Sequence, residues 1–163
     1  MTKPQIETVV LKSLGQAPRK LLVTFAHPDD ESFGPAGTLI HYAQQGVEVH
    51  YVCGTRGEAG EVEPDLLAGY DSLGDLRTKE LLSASEHLGF SAIHFLNYRD
   101  SGMENSADND DPTCLHQAPL EDVTEQITYL MRKIQPQVVL TFDPQGGYFH
   151  PDHIKRYGMV ITR

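Results

Sequence analysis

Short apolar runs along the chain predict four β-strands. Residues 20–26 form a run rich enough in apolar side chains for a strand that is buried on both faces. Residues 47–53 alternate in polarity and are rich in β-branched side chains, which is typical of a strand. Residues 92–96 and 137–142 are two further short apolar runs, and we predict them as the third and fourth strands.

Between these strands, apolar residues recur at helical spacing. We predict helices over 33–45, 74–88 and 119–134, and a last helix that begins near residue 150. A glycine directly after each of the first two segments is suited to a helix C-terminal cap. Strands and helices therefore alternate along most of the chain.

The first 18 residues precede these elements. Apolar residues recur at helical spacing there, which predicts a short amphipathic helix with Ile6, Val9, Val10 and Leu14 on one face, ended by Gly15 and Pro18. We interpret residues 1–18 as an N-terminal lead-in and residues 19–163 as the domain.

The alternation of strands and helices fits βαβ units and predicts an α/β fold. We expect a Rossmann-like, three-layer α/β/α arrangement with a mostly parallel sheet. In open sheets of this kind, ligands bind at the carboxyl ends of the strands. His27, Arg56, Asp100 and His150 each follow a predicted strand, so we expect the active site at that edge.

Length, charge and cysteine content limit the binding partners and the cellular location that we expect for this protein. The 163 residues suit one domain, and a formal net charge of −10 argues against a nucleic-acid surface or an anionic membrane as main partner. No stretch reaches the roughly 18 apolar residues of a transmembrane helix, and no signal peptide is apparent. Two cysteines, Cys53 and Cys114, cannot form a disulfide framework, so a cytoplasmic location is the default expectation.

Two polar clusters follow apolar runs, the second after a further seven residues, and carry the candidate chemistry. They are His-Pro-Asp-Asp-Glu at 27–31 and His-Pro-Asp-His at 150–153. Either cluster alone is explained as well by a turn with an N-cap aspartate. Together they offer more than the three protein ligands of a catalytic zinc, which keeps a fourth position open. We therefore predict that the two loops meet around one metal, with Zn²⁺ favoured and Fe²⁺, Co²⁺ or Mn²⁺ accepting the same ligands.

These motifs resemble those of the PIG-L/LmbE-like zinc-dependent de-N-acetylases. The resemblance spans about 20–157 and rests first on the two clusters. It also takes in Thr55 to Glu58, Arg77 to Glu80, and Tyr98 to Met103. The segment 98–103, together with Gly146-Gly147-Tyr148, looks most like the branch that acts on mycothiol and related pseudodisaccharides.

The resemblance implies a role for each matching residue. It implies metal ligands His27, Asp30 and His153, a general base Asp29, and His150 as the group that stabilises the tetrahedral intermediate. It further implies Asp152 as the orienting partner of His150, Tyr148 near the oxyanion, and Arg56 and Asp100 holding the sugar. The alternative interpretations are an ion pair of Arg56 with Glu58 or another surface acid, and a turn cap for Asp100. Arg77 and Glu80 are interpreted as a structural pair on their helix.

The predicted function is a metal-dependent hydrolase that acts on linear amide bonds. It would remove an N-acetyl group from a small N-acetylglucosaminyl-type substrate through a metal-activated water. The alternatives are an amidase that cleaves a larger amide of a thiol-sugar conjugate, and a non-catalytic metal- or sugar-binding module. An intact Asp29 argues against the last, because a pure binding site needs no base.

The resemblance also raises the question of length. The sequence ends ten residues after His153, whereas members of the family usually continue. If these residues are the whole polypeptide, we expect the pocket to be open on one side or completed by a partner chain in a homo-oligomer. If they are a fragment, the metal site could form while substrate affinity suffers.

Overall fold

The computed structural model describes residues 3–12 and 19–161 of the chain. Their strands form one five-stranded sheet in the order β1-β4-β3-β2-β5. The strands are β1 (Glu7–Val10), β2 (Lys20–Phe25), β3 (Glu48–Cys53), β4 (Ala92–Phe95) and β5 (Val138–Leu140). β1 is antiparallel to β4, and every other pairing is parallel. The four predicted strands and the mostly parallel sheet are confirmed.

Helices follow the strands as the alternation predicted. They are α1 (Asp30–Phe33), α2 (Ala36–Gln44), α3 (Leu73–Leu88), α4 (Leu120–Ile134), α5 (Gly146–Phe149) and α6 (Pro151–Ile161). The predicted helix over 33–45 is wrong at its start, because Pro35 separates the single turn α1 from α2. Proline lacks an N–H group and disfavours helical backbone in the residue before it. Within the described ranges, no helix is long and apolar enough to cross a membrane.

The predicted helix near the N-terminus is wrong for the residues the structure describes. Residues 7–10 form β1, with Glu7 opposite Phe95 and Val10 opposite Ala92. A short helix is marginal by itself, whereas Thr8, Val9 and Val10 are β-branched and suit a sheet edge. Leu14, Gly15 and Pro18 lie outside the described residues, and the boundary between residues 18 and 19 stays a prediction.

The core lies on both faces of the sheet. One face packs against α2 and α3 through Leu39, Leu81 and Leu88, and the other packs against α4 through Val123, Ile127 and Leu130. β2 and β3 lie between these layers and are buried along nearly their whole length. Burial of both central strands holds their carboxyl ends in place, and the first polar cluster begins at the end of β2.

Candidate metal centre

The first cluster forms a tight turn after β2. The Asp30 carboxylate folds back on this turn, where its Oδ2 accepts hydrogen bonds from the backbone N–H groups of His27 at 2.8 Å and Ala26 at 3.1 Å. Asp29 has a φ of 112°, which is uncommon for a residue other than glycine. The buried Glu31 carboxylate accepts from the Asp29 N–H at 3.0 Å. Glu31 therefore supports the turn that presents Asp29 and Asp30.

The second cluster forms the start of α6. Pro151 occupies the first helical position, which needs no N–H donor, and Asp152 and His153 follow in the first turn. Nδ1 of His153 lies 3.0 Å from the Gly146 carbonyl oxygen. A Cβ atom at Gly146 would lie 2.5 Å from Cβ of His153. Only a glycine at this position lets the backbone approach the ring closely enough to orient it.

The three predicted metal ligands, His27, Asp30 and His153, converge, and we call the space between them the metal centre. Nδ1 of His27 lies 3.1 Å from Nε2 of His153 and 3.6 Å from Oδ2 of Asp30. Nε2 of His153 lies 3.4 Å from Oδ1 of Asp30. A tetrahedral zinc with bonds of 2.0–2.1 Å separates its ligand atoms by about 3.3 Å. The spacing of these atoms therefore suits a divalent metal ion.

The tautomers that the hydrogen-bond partners assign to the two rings also favour a cation. A carbonyl oxygen can only accept, so neutral His153 carries its proton on Nδ1 and turns a lone pair on Nε2 toward the centre. Nε2 of His27 faces carboxylate oxygens of Asp152 at 3.2 Å and Asp100 at 3.3 Å, so neutral His27 turns a lone pair on Nδ1 toward the centre. Two imidazole lone pairs and the carboxylate of Asp30 then face one another, and a cation resolves their repulsion.

Acidic residues dominate the charge of the centre. Burial by itself lowers the pKa of His27, but hydrogen bonds to Asp100 and Asp152 and the charges of Asp100 and Asp30 raise this pKa to about 10. Burial and the neighbouring His27 lower the pKa of His153 to about 3. Either a proton on His27 or a bound metal ion could compensate the negative charge of these acids, and the two compete for the same site.

Other potential ligands lie within the same space. His27, His150 and His153 each offer an atom within 4.8 Å of the others, and so do His27, Asp100 and Asp152. Nδ1 of His150 accepts from the Asp152 backbone N–H at 3.2 Å. Neutral His150 therefore carries its proton on Nε2, where it can donate a hydrogen bond. Burial and His27 lower the pKa of His150, which favours this neutral form.

Asp152 contacts the predicted histidine, His150, through its backbone N–H, and a second histidine through its carboxylate. Its carboxylate meets His27 rather than His150 and is held by Ser101, whose N–H and hydroxyl both donate to it. Asp152 is fully buried, so a carboxylate with these partners is fixed in one orientation. Ser101 was not predicted to take part in the site. A lone serine in a long polar loop gives no signal of this contact.

Asp100 also lies against His27. Its Oδ1 accepts from the Gly102 N–H at 2.9 Å, which is the turn cap that the alternative interpretation predicted. The residue is buried, and hydrogen bonding to His27 together with its charge holds the Asp100 pKa below the usual range in spite of burial. The structure thus brings Asp100 into the centre, behind His27.

Asp29 and Tyr148 lie at the mouth of the centre. The Asp29 side chain is 46% exposed. The Tyr148 residue is more than half exposed, and its ring centre lies 5.0 Å from that of His153 and 6.1 Å from that of His150. Burial raises the pKa of Tyr148, and the charges of Asp30 and Asp29 raise it further. Both residues are placed where a substrate could reach them.

Arg77 is part of this mouth, contrary to the prediction of a structural pair with Glu80. Its Nη2 donates to Oδ2 of Asp29 at 2.7 Å and to the Pro28 carbonyl at 2.6 Å, and its Nη1 donates to the Gly57 carbonyl at 3.0 Å. Burial raises the pKa of Asp29, and Arg77 offsets part of that effect. The available signal was an arginine four residues before Leu81, on the face of α3 that turns inward.

Arg56 is not brought to the centre. Its guanidinium donates to Glu7 at 2.5 Å, to Asn97 at 3.0 Å and to Thr78 at 3.0 Å. It also lies over the Phe95 ring, 4.1 Å from the centroid. This arrangement matches the alternative interpretation of an ion pair with a surface acid. It ties β1 to the rest of the sheet.

The fold and this donor set define an α/β domain in which His and Asp side chains at the carboxyl end of the sheet could hold a metal ion. The chain belongs to the PIG-L family. Residues 22–162 match the family model described as GlcNAc-PI de-N-acetylase.

Two relatives share 43% of their aligned residues with this chain. Both are 1D-myo-inositol 2-acetamido-2-deoxy-alpha-D-glucopyranoside deacetylases. That of Kineococcus radiotolerans is matched over 95% of this chain and 47% of its own length. That of Salinispora arenicola is matched over 88% of this chain and 49% of its own length. The chain thus spans about half the length of the relatives it matches.

Solved structures with the same fold carry different activities. The N,N'-diacetylchitobiose deacetylase from Pyrococcus horikoshii is 32% identical with a TM-score of 0.69, over 88% of this chain and 48% of that chain. GalB, the 4-carboxy-2-hydroxymuconate hydratase from Pseudomonas putida, is 27% identical with a TM-score of 0.64, over 86% of this chain and 53% of that chain. The fold alone therefore does not determine the reaction, and the site has to be argued separately.

Proposed function

We propose that this chain forms the metal-binding part of a hydrolase that removes the acetyl group from an N-acetylglucosaminyl compound. The observation that carries the proposal is the convergence of Nδ1 of His27, Nε2 of His153 and the Asp30 carboxylate, with Asp29 beside them at the mouth. His27, Asp30 and His153 would hold the ion. We propose Zn²⁺, because two imidazole nitrogens and one carboxylate are a donor set that zinc accepts.

A bound divalent ion would polarise the amide carbonyl and lower the pKa of a water molecule toward about 7. Asp29 is the base in this proposal. It is close to the donor set, and its position is held by Arg77 rather than by the ligands themselves. Asp29 takes a proton as the oxygen of water bonds to the carbonyl carbon. The same proton then passes to the amide nitrogen, so that the C–N bond breaks and an amine leaves.

The negative charge that develops on the carbonyl oxygen needs hydrogen-bond donors that stabilise it. His150 carries its proton on Nε2 when neutral, and Tyr148 offers a hydroxyl at the mouth. We assign both residues to this oxyanion. Asp152 and Asp100 would not contact the ion. Their carboxylates accept from Nε2 of His27 and so hold this ring in the tautomer that leaves its Nδ1 free for the ion.

The substrate class in this proposal comes from the relatives. Two of them are named as deacetylases of a 2-acetamido-2-deoxy-glucopyranosyl inositol, and a solved structure is named as a chitobiose deacetylase. All three names specify an N-acetylated amino sugar. We therefore propose a small-molecule amino-sugar substrate for the protein to which this chain belongs. Its cytoplasmic location and a homo-oligomeric state stay predictions.

Acetate release tests the proposal. The metal-stripped protein would be incubated with an N-acetylglucosaminyl inositol, with and without added Zn²⁺, and acetate would be quantified. We expect release only with the metal. A larger organic acid from a thiol-sugar conjugate, without acetate, would favour the amidase alternative. Zinc binding without any product would favour a non-catalytic binding module.

The hydratase among the solved structures suggests a second reaction class. Hydration of a carbon–carbon double bond releases no acid and no amine. Incubation with 4-carboxy-2-hydroxymuconate would show it as loss of the conjugated chromophore. We expect no loss, because the relatives of highest identity reported above are deacetylases.

A further inference from the structure

Arg156 is fully buried, which is rare for a guanidinium group. It lies on α6, in the turn after Asp152 and His153. Helical side chains lean toward the N-terminus of their helix, so the guanidinium lies back beneath the turn that carries those two residues. Burial lowers the pKa of Arg156, and acids of the metal centre, including Asp152 and Asp30, are near enough to raise it.

The contacts of Arg156 join α6 to both central strands. Its Nη2 donates to the hydroxyl of Thr24 in β2 and to the carbonyl of Val52 in β3, the latter at 3.4 Å. The Thr24 carbonyl in turn accepts from the hydroxyl of Thr141 at 3.1 Å. Thr24 stands three residues before His27. One side chain thus connects the helix that carries His153 with the strand that leads into His27.

Packing alone does not explain an arginine here. In the described part of the chain, Nε and Nη1 of Arg156 have no hydrogen-bond partner. Burying a guanidinium with unpaired donors costs free energy, and an apolar side chain of similar length would fill the same space without that cost. Burial lowers the pKa of Arg156 to about 10, so the group is still charged at neutral pH.

We propose that Arg156 is a positioning residue of the metal centre. It holds α6 against β2 and β3 at the distance at which His153 and Asp152 meet His27. This inference rests on the proposed function, because it concerns the same donor set. It means that metal binding also depends on a residue outside the two polar clusters, on the buried side of α6.

The test compares three variants with a matched control. Arg156→Met removes the guanidinium, Arg156→Lys keeps a charge, and Thr24→Val removes one acceptor. Arg132→Met, on the exposed side of α4, makes the same change where the side chain is not buried. Two quantities would be measured. They are the zinc dissociation constant by chelator competition, and the imidazole ¹H–¹⁵N NMR signals of His27 and His153 in the metal-free protein.

We expect Arg156→Met to weaken zinc binding by at least about tenfold, the effect typical of residues that hold metal ligands in place. We also expect it to shift both imidazole signals. Arg156→Lys recovers part of the loss, Thr24→Val produces a smaller loss in the same direction, and Arg132→Met changes nothing.

Folded Arg156→Met with wild-type zinc affinity and wild-type imidazole signals would overturn the inference. If that variant does not fold, wild-type values in both Arg156→Lys and Thr24→Val would overturn it instead. A wild-type protein that binds no zinc would refute the proposed function. The imidazole signals of the metal-free variants would still decide whether Arg156 positions the two histidines.

Discussion

Nδ1 of His27 lies 3.1 Å from Nε2 of His153, although 126 positions separate the two residues in the chain. His27 follows the central strand β2, and His153 lies in the first turn of α6. Each ring is oriented from behind, His27 by Asp100 and Asp152 and His153 by the Gly146 carbonyl. The pair is therefore held before any ligand arrives.

Replacing His153 should remove the metal. We expect His153→Ala to lose zinc, because the Asp30 carboxylate and His27 alone leave too few protein ligands. Elemental analysis after dialysis against trace zinc measures this. His87→Ala is the control, since His87 is exposed on α3. A full zinc content in His153→Ala would refute this ligand.

Replacing Asp29 should separate metal binding from turnover. We expect Asp29→Ala to keep zinc and to lose at least about 10²-fold in kcat, because no base then accepts the proton of water. Rates of acetate release and zinc content would be measured on the same sample. Asp65→Ala is the control, because Asp65 is an exposed carboxylate in a short 3₁₀ helix over Pro64–Leu67. Equal activity in Asp29→Ala would sink the assigned role.

Arg77 should matter through Asp29. We expect Arg77→Met to lower kcat by about tenfold or more while zinc content stays at the wild-type level, because the guanidinium holds Asp29 and not the metal ligands. Arg77→Lys cannot reach Asp29, Pro28 and Gly57 together, so it should recover only part of the rate. Unchanged kcat in Arg77→Met would show that Asp29 needs no such support.

Gly146 should be intolerant of a side chain. Its φ is 64°, and a Cβ atom would lie 2.5 Å from Cβ of His153. We expect Gly146→Ala to lower the free energy of unfolding by more than about 1 kcal/mol and to weaken zinc binding. Gly37→Ala is the matched control. It lies in α2, where a Cβ meets nothing within 4 Å, and should stabilise by about 0.5–1 kcal/mol. Denaturant unfolding compares them.

A buried histidine pair away from the metal centre should set part of the acid stability. The His94 and His50 rings lie 3.1 Å apart between their facing nitrogens. The groups that face the pair are Thr8 on β1, Glu48 on β3, Lys20 on β2 and Lys133 on α4. Burial, His50 and Lys133 lower the pKa of His94 to about 4.

The direction in which stability changes with pH follows from the difference between the His94 pKa in the folded and in the unfolded chain. Folded His94 stays neutral below the ordinary histidine pKa of about 6.5, where the unfolded chain binds a proton, so the folded state loses stability as pH falls from 6.5 toward 4. The contribution is on the order of 3 kcal/mol at most. Denaturant unfolding of metal-stripped protein at pH 7 and pH 5 measures it. We expect His94→Gln to lose less stability between these pH values than wild type. An equal loss would contradict this account.

Much of the fold could be predicted because it depends on local patterns. The apolar runs at β2 to β5 and the helical spacing of α3 and α4 are properties of neighbouring residues, and the structure confirms them. The N-terminal segment was mispredicted because helical spacing over a few residues is weak evidence. There, pairing with β4, more than 80 residues away, decides the conformation.

From the sequence we could predict that two polar clusters follow strands of a parallel sheet, and hence that His27, Asp30 and His153 would share one edge. The hydrogen-bond partner of each side chain could be read only from the folded structure. The Asp152 carboxylate meets His27 while its backbone N–H meets His150, Arg77 contacts Asp29 at the mouth, and Arg156 is buried on α6. Side-chain partners depend on how helices pack across the sheet, and no pattern along the chain contains those distances.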